Sequence, residues 1–271
     1  MGERQLIRLN QVVKRFEGRL VTDHVSANFP QGKVSVILGG SGSGKSTLLR
    51  QMTGLLPPDG GMIEIDGQDV PQLGRRDLYR LRQRLGMLFQ NGALLNAMNV
   101  FENIAFPMRA HTNLSERMIR IIVGIKLEMV GLRGTEHLMA SELSGGMVKR
   151  VALARAIALD PPVMFFDEPF SGLDPISAGV IEKLILDYKK IRGATCVVVS
   201  HDIPSTFRMA DHIIILSHGR VIAQGSAQEI QQSPHPEVQQ FIQGLPDGPI
   251  RFRYPAQAPL QDDLMQRAQR L

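Results

Sequence analysis

The sequence predicts an α/β fold built on a buried parallel sheet, and three observations predict it. Val34–Leu38 (VSVIL), Val163–Phe166 (VMFF) and Cys196–Val199 (CVVV) are short unbroken apolar runs, the pattern of strands covered on both faces. Stretches rich in helix formers separate these runs. Between the first run and the first helix lies Gly39–Thr47, which reads GGSGSGKST and holds G-x-x-x-x-G-K-[ST] at Gly39, Gly44, Lys45 and Ser46. Gly39, Gly40, Ser41, Gly42, Ser43 and Gly44 are small enough for consecutive backbone N–H groups to turn inward around an anion. Lys45 adds a point charge for β/γ-phosphates, and the Ser46 hydroxyl can ligand Mg²⁺. Thr47 lies in the first helical turn, where the dipole favours negative charge.

The remaining elements follow in order. Leu6–Val13 reads as a strand, Val25–Phe29 alternates like a second, and Pro30–Lys33 is a turn. Phe16, between them, either stacks on a nucleotide base or serves as a core or edge residue. Lys45–Leu55 is predicted helical, Pro57–Gly61 (PPDGG) is a turn, and Met62–Asp66 is a short strand. Arg75–Arg84 reads as a basic helical segment, and Leu85–Phe89 as a strand ending at Gln90. A polar residue at that exit lies near the carboxyl edge of the sheet, the ligand side of open α/β sheets; a loop Gln with one backbone contact is the plainer reading. Over Asn91–Gly134 strand patterns vanish. Ser115–Val130 shows helical spacing at Met118, Ile121, Ile122, Ile125 and Met129, with Ser115 as N-cap.

Ser144, Gly145 and Gly146 open the helix Met147–Leu159, as a second anion site or as a simple cap and turn. The strand Val163–Phe166 ends in Asp167-Glu168-Pro169. Two carboxylates there are costly to bury without a cation or proton. Opposite a phosphate loop, Asp167 can hold the Mg²⁺ shell and Glu168 can polarise an attacking water. Asp174 and Pro175 supply an N-cap and first helical residue for Ile176–Ile191. His201 follows the strand Cys196–Val199 in the manner of Asp167, which makes it a candidate for the γ-phosphate. Ile213–Leu216 and Arg220–Ala223 form a hairpin, and Gln228–Gln243 is helical in part. Gly244–Leu271, with Pro246, Pro249 and Pro255, is either disordered or docked outside the core.

With 271 residues the chain can bury a full core as one domain with a subdomain. A formal charge of +5 with scattered basic residues gives no ground for a nucleic-acid partner. The single cysteine, Cys196, excludes an intramolecular disulfide and reads as a small packed hydrophobe. No signal peptide is expected at Met1–Asn10, and no apolar stretch approaches the roughly 20 residues that span a bilayer. Work at a membrane therefore implies a partner that holds the chain there.

Taken together, these motifs resemble the nucleotide-binding subunit of ABC transporters over roughly Leu6–Gln243. Gly39–Ser46 is similar to the Walker A loop, Val163–Asp167 to Walker B with Glu168 as the catalytic glutamate, and Gln90 to the Q-loop. Leu143–Met147 is similar to the signature, Ser171–Asp174 to the D-loop and His201 to the H-loop, while Phe16 stands where the family places a base-stacking aromatic, usually Tyr. More narrowly, MLFQNGALLNAMNVFENIAFPMRAHT, FDEPFSGLDPI, CVVVSHD and DGPIRFRYPA resemble the ATPases of phospholipid transporters in Gram-negative envelopes.

The resemblance implies a RecA-like core with an antiparallel β subdomain and a helical subdomain at about residues 91–160, followed by a C-terminal extension over 244–271. It implies a dimer that sandwiches ATP and Mg²⁺, with Ser144, Gly145 and Gly146 facing the nucleotide held by the second copy and Asp174 among the nucleotide-binding residues. Ser46, Gln90 and Asp167 would hold the metal, and Glu168, His201 and Gln90 would act in hydrolysis. Implied partners are an integral membrane permease docked near Gln90 and Asn99–Pro107, an MCE-domain lipid-binding protein and a STAS-domain protein. The implied location is the cytoplasmic face of the inner membrane. Met147 departs from the family's Gln, and a thioether cannot reproduce an amide's hydrogen bonds. Three other readings compete. An importer ATPase for a polar solute would share the core. A soluble ABC ATPase would carry two cassettes or a long coiled coil, and a P-loop kinase would not need Leu143–Met147, Glu168 or His201. Gly248–Pro255 is expected to pack on a neighbouring subunit.

Overall fold

The computed structural model describes residues 4–250. In chain order its elements are β1 (Gln5–Phe16), β2 (Arg19–Pro30), β3 (Val34–Leu38), α1 (Lys45–Met52), β4 (Gly60–Ile65), β5 (Gln68–Asp69), α2 (Arg75–Gln83) and β6 (Leu85–Leu88). There follow α3 (Val100–His111), α4 (Glu116–Met129), α5 (Gly145–Ala156), β7 (Val163–Asp167), α6 (Pro175–Arg192) and β8 (Thr195–Ser200). The described chain closes with α7 (Ile203–Met209), β9 (His212–Ser217), β10 (Arg220–Gly225), α8 (Ala227–Gln231) and α9 (Pro236–Gln243).

Six strands form the central sheet in the order β10-β9-β3-β8-β7-β6. The pairs β9–β3, β3–β8, β8–β7 and β7–β6 are parallel, and only β10 runs antiparallel. Every residue of β3, β7 and β8 is buried, because both faces of the sheet are covered. Side chains alternate between the two faces. Val36, Phe166 and Val198 join the cluster that includes α3, α4, α5 and α6, while Ile37, Phe165 and Val199 pack with α1 and the second sheet. That second sheet is antiparallel, in the order β2-β1-β4-β5. The predicted α/β architecture, with an antiparallel unit and a helical insertion, is therefore present.

Two expectations are corrected. The strands β1 and β2 are each 12 residues long, so Phe16 ends a strand at a tight hairpin and does not lie between two short ones. Ser115 caps α4 as expected, accepting from the Met118 N–H at 3.4 Å. However, Met118, Ile121 and Ile125 are 46%, 50% and 54% exposed. The buried stripe is instead Ile119, Val123 and Leu127, flanked by the Lys126 stem, because α4 offers two apolar faces and tertiary packing selects one. Residues 251–271 lie outside the described residues, so most of Gly248–Pro255 does too, and its described end at Ile250 contacts this same chain. There the buried Gln240 side chain accepts from the Ile250 N–H at 2.8 Å and donates to the Ile250 carbonyl at 3.0 Å.

The segment after β6 is pinned by one buried amide. Asn103 of α3 accepts from Leu95 N at 2.8 Å and donates to the carbonyls of Leu95, Met98 and Asn99 at 3.0–3.2 Å. Asn103→Ala removes all four of these hydrogen bonds at a fully buried side chain and takes the acceptor from the Leu95 N–H. It should destabilise the fold by about 2–3 kcal/mol in a denaturant titration. A change under about 0.5 kcal/mol, the scale of an ordinary surface substitution, would contradict this role.

Candidate nucleotide-binding and hydrolytic site

The carboxyl ends of the parallel strands converge on one edge of the central sheet. β3 runs into Gly39–Gly44, β6 into Gln90, β7 into Asp167 and Glu168, and β8 into His201. This arrangement brings residues that are far apart in sequence within one hydrogen-bonding layer.

The loop after β3 is shaped by steric necessity. Gly44 has φ of +100°, and a Cβ there would lie 2.7 Å from the Val21 carbonyl oxygen. A Cβ on Gly39 would collide with the Leu216 carbonyl and with Ser43 Oγ. Gly44 also stands at the N-cap of α1 without a side-chain cap, so the first-turn amides of Lys45, Ser46 and Thr47 have no capping partner. Ser43 Oγ is buried with no protein partner. Free amides and an orphaned hydroxyl around a closely turned backbone fit a phosphate group. Lys45 is 7% exposed and donates to the Gly39 and Gly40 carbonyls at 2.8 and 3.0 Å. Burial pulls its amine below the ordinary lysine range, while Glu168 and Asp167 push it back up.

Ser46 Oγ donates to Asp167 Oδ1 at 2.8 Å. These two hard oxygen donors sit side by side, as Mg²⁺ requires. Glu168 is buried, with one carboxylate oxygen 3.9 Å from Lys45 Nζ and the other 2.8 Å from His201 Nδ1. Its backbone is left-handed, with φ of +49°, although it is not glycine. The side chain of His201 is largely exposed, so it bridges a buried carboxylate and solvent. Gln90 is exposed, and its carbonyl accepts from Lys149 of α5.

Two expected groups stand apart. Ser144 caps α5, accepting from Met147 N at 3.3 Å, and Asp174 caps α6, accepting from Ile176 N and Ser177 N at 2.9 and 3.1 Å. Among the described residues no hydrogen bond ties Ser144, Gly145, Gly146 or Asp174 to the phosphate loop. Gly146 instead neighbours Ser177, which places the two helix starts together. Phe16 lies at the tip of β1, 44% exposed, with Lys14 Nζ 5.7 Å from its ring centre. An exposed ring at a hairpin is consistent with stacking on a planar ligand.

Sequence reasoning passed over Lys149 and Arg155. Lys149 donates to the carbonyls of Gln90 and Glu168; Arg155 donates to those of Gly92 and Ala93. A signal was present. Lys149 stands three and four residues before Ala152 and Leu153, on the buried stripe of α5, where a solvated cation has no place.

The phosphate loop, the Ser46–Asp167 pair and the Glu168–His201 pair on one sheet edge define a nucleotide-binding α/β ATPase of the phosphate-loop class. Comparisons with known proteins narrow this. The ABC transporter family model matches residues 22–171. The chain is 52% identical over 238 residues to the intermembrane phospholipid transport system ATP-binding protein MlaF of Escherichia coli K12, covering 88% of each chain. It is 49% identical to the MlaF protein of Haemophilus influenzae, covering 93% of this chain and 96% of that one. Among solved structures, the dimeric post-hydrolysis state of the ATP-binding cassette MJ0796 with ADP and Pi superimposes with a TM-score of 0.76. That cassette is 30% identical and covers 82% of this chain and 98% of its own. The chain belongs to the ABC transporter family, as an ATP-binding subunit with ATPase activity.

Lys45→Ala removes the one cation folded into the loop. ATP affinity should fall by at least about tenfold in an equilibrium titration, the scale of one charge-assisted hydrogen bond. Unchanged affinity would contradict the placement of Lys45 at the phosphates.

Proposed function

We propose that this chain is the ATP-hydrolysing subunit of a transporter that moves phospholipid between the membranes of a Gram-negative envelope and so maintains outer-membrane lipid asymmetry. The observation that carries the ATPase chemistry is the meeting of Lys45, Ser46, Asp167, Glu168 and His201 on one edge of the sheet. The extent of the match to the MlaF proteins supports the lipid cargo.

In this reading the amides of the phosphate loop and Lys45 bind and orient the phosphates. Phe16 stacks on the base. Ser46, Asp167 and Gln90 would hold Mg²⁺, which supplies positive charge to the phosphate oxygens when bound. Glu168 accepts a proton from, or polarises, the attacking water. His201 holds the Glu168 carboxylate through Nδ1 and faces the γ-phosphate with its exposed edge. Ser144, Gly145, Gly146 and Asp174 act in the site of a second copy, which accounts for their separation from the phosphate loop within one chain. Closing two copies over ATP and reopening them after hydrolysis makes the chemistry a motion.

A groove of about 530 Å³ between α2, β6 and α3, lined by Tyr79, Phe89, Leu95, Phe106 and Pro107, suits a helix of an integral membrane permease. No helix among the described residues is long and apolar enough to cross a membrane. Attachment through that permease would hold the chain at the cytoplasmic face of the inner membrane. An MCE-domain lipid-binding protein and a STAS-domain protein complete the proposed assembly. The helical subdomain at about 91–160 supplies one wall of the permease groove, and the 244–271 extension docks on a neighbouring subunit.

Glu168→Gln should lower turnover by at least about a hundredfold while ATP affinity stays within about threefold, because only the polarising charge is lost. Near-normal hydrolysis would refute the role of Glu168. For the cargo, the chain assembled with permease and MCE-domain protein should move a fluorescent phospholipid between membranes in an ATP-dependent manner. ATP-dependent uptake of a polar solute with no phospholipid movement would refute it.

A further inference from the structure

Helix α5 directs one buried and one half-buried cation at the backbone of the site, and neither has a role in the chemistry described above. Lys149 is 5% exposed, and its ammonium donates to the Gln90 carbonyl and, at 3.2 Å, to the Glu168 carbonyl. One turn and a half further on, Arg155 donates to the Gly92 carbonyl at 2.8 Å and the Ala93 carbonyl at 2.7 Å. Glu168 and Ala93 are both non-glycine residues in left-handed backbone, each with φ of +49°. Such a conformation is disfavoured and persists only where the surroundings over-determine it. At Glu168 three backbone hydrogen bonds do so beside the side chain's contacts with Lys45 and His201: its N–H donates to the Val199 carbonyl at 2.9 Å, and its carbonyl accepts from Ser171 N at 3.2 Å and from Lys149.

We propose that Lys149 is a positioning residue for ATP hydrolysis: a single ammonium holds the main-chain carbonyls of Gln90 and Glu168 and so fixes where the Glu168 carboxylate points. The inference rests on the reading of Glu168 as the hydrolytic carboxylate. It gives the segment after β6, which borders the permease groove, a direct link of two hydrogen bonds to the catalytic residue. Displacement of the Gln90 backbone therefore displaces the Glu168 backbone, and the strained φ lets a small shift change the carboxylate's aim.

The chemistry argues against a filler. A buried ammonium is costly unless its three donors are used. Burial pulls the Lys149 amine below its ordinary range, and Glu168 and then Asp167 oppose that pull. No carboxylate pairs with it at salt-bridge distance among the described residues, and its hydrogen bonds go to carbonyls. If volume were all that mattered, methionine would serve equally, since it is unbranched and apolar.

The test compares Lys149→Met, Lys149→Arg and Lys149→Gln in the full-length chain, with Glu168→Gln alongside. Steady-state ATPase rates give kcat and KM, a fluorescent ATP analogue gives affinity, and thermal denaturation gives Tm. Lys149→Met should lower kcat by at least about tenfold, as expected when a reacting group is slightly misplaced, with nucleotide affinity within about threefold. Lys149→Arg keeps the charged donors and should recover most of the lost kcat. If Lys149→Met does not fold, Lys149→Gln decides the matter. It retains N–H donors on a shorter stem and should lower kcat by about threefold to tenfold at unchanged affinity. Wild-type kcat in a folded Lys149→Met or Lys149→Gln protein overturns the proposal. So does a loss of affinity in step with kcat, which marks a collapse of the nucleotide site and not a misaimed carboxylate. Near-normal turnover in Glu168→Gln overturns instead the reading on which the proposal rests.

Discussion

Asp167 and Glu168 are buried next to one another at the end of β7, at 4% and 8% exposure, and much of the surrounding structure answers that burial. Two adjacent carboxylates out of water repel one another and are expensive to desolvate unless positive charge and donors are supplied. Lys45 lies 3.9 Å from Glu168, Ser46 donates to Asp167, and His201 meets Glu168 at 2.8 Å. Lys45 and Ser46 arrive from the start of α1 after β3, and His201 from the end of β8. The parallel sheet is what delivers them to one place, since its connections return every strand in the same direction.

Helix α5 connects this acidic centre to the rest of the molecule. Its N-terminus is the Ser144–Gly146 turn, it carries the buried Lys149 and the half-buried Arg155, and its apolar residues join the main core beneath the sheet. A rigid rod with an exposed ligand-type terminus at one end and two grips on the site's backbone can pass displacement between them. The segment gripped by Arg155 and Asn103 also lines the groove proposed for the permease. The site's backbone and the proposed docking groove thus share one set of hydrogen bonds.

Much of the site was legible from sequence because its parts are local. A phosphate loop needs glycine where φ is positive, and a strand end with two acidic residues is conspicuous in a buried run. Asp174 and Ser115 are caps that their residue type announces. Lys149 escaped notice because a basic residue on a helix reads as solvated until the buried stripe is counted through it. The apolar spacing read for α4 is only partly its buried stripe for a related reason: Ile122 and Met129 pack on the core and Met118, Ile121 and Ile125 do not, while Ile119, Val123 and Leu127 share the spacing and periodicity alone does not choose. Phe16 was displaced because hairpin strands extended by bulges carry no local mark of their length.

The central claim is that one chain holds only half of each working site, with the phosphate loop completed by Ser144–Gly146 of a second copy. Complementation between two inactive chains measures this directly. Lys45→Ala breaks the phosphate loop and leaves the Ser144–Gly146 turn intact, while Gly145→Asp does the reverse. Each variant alone should be nearly inactive, and the two mixed should regain ATPase activity, because the mixed dimer contains one whole site. No recovery on mixing, with both variants folded and shown to form mixed dimers, would contradict the shared site.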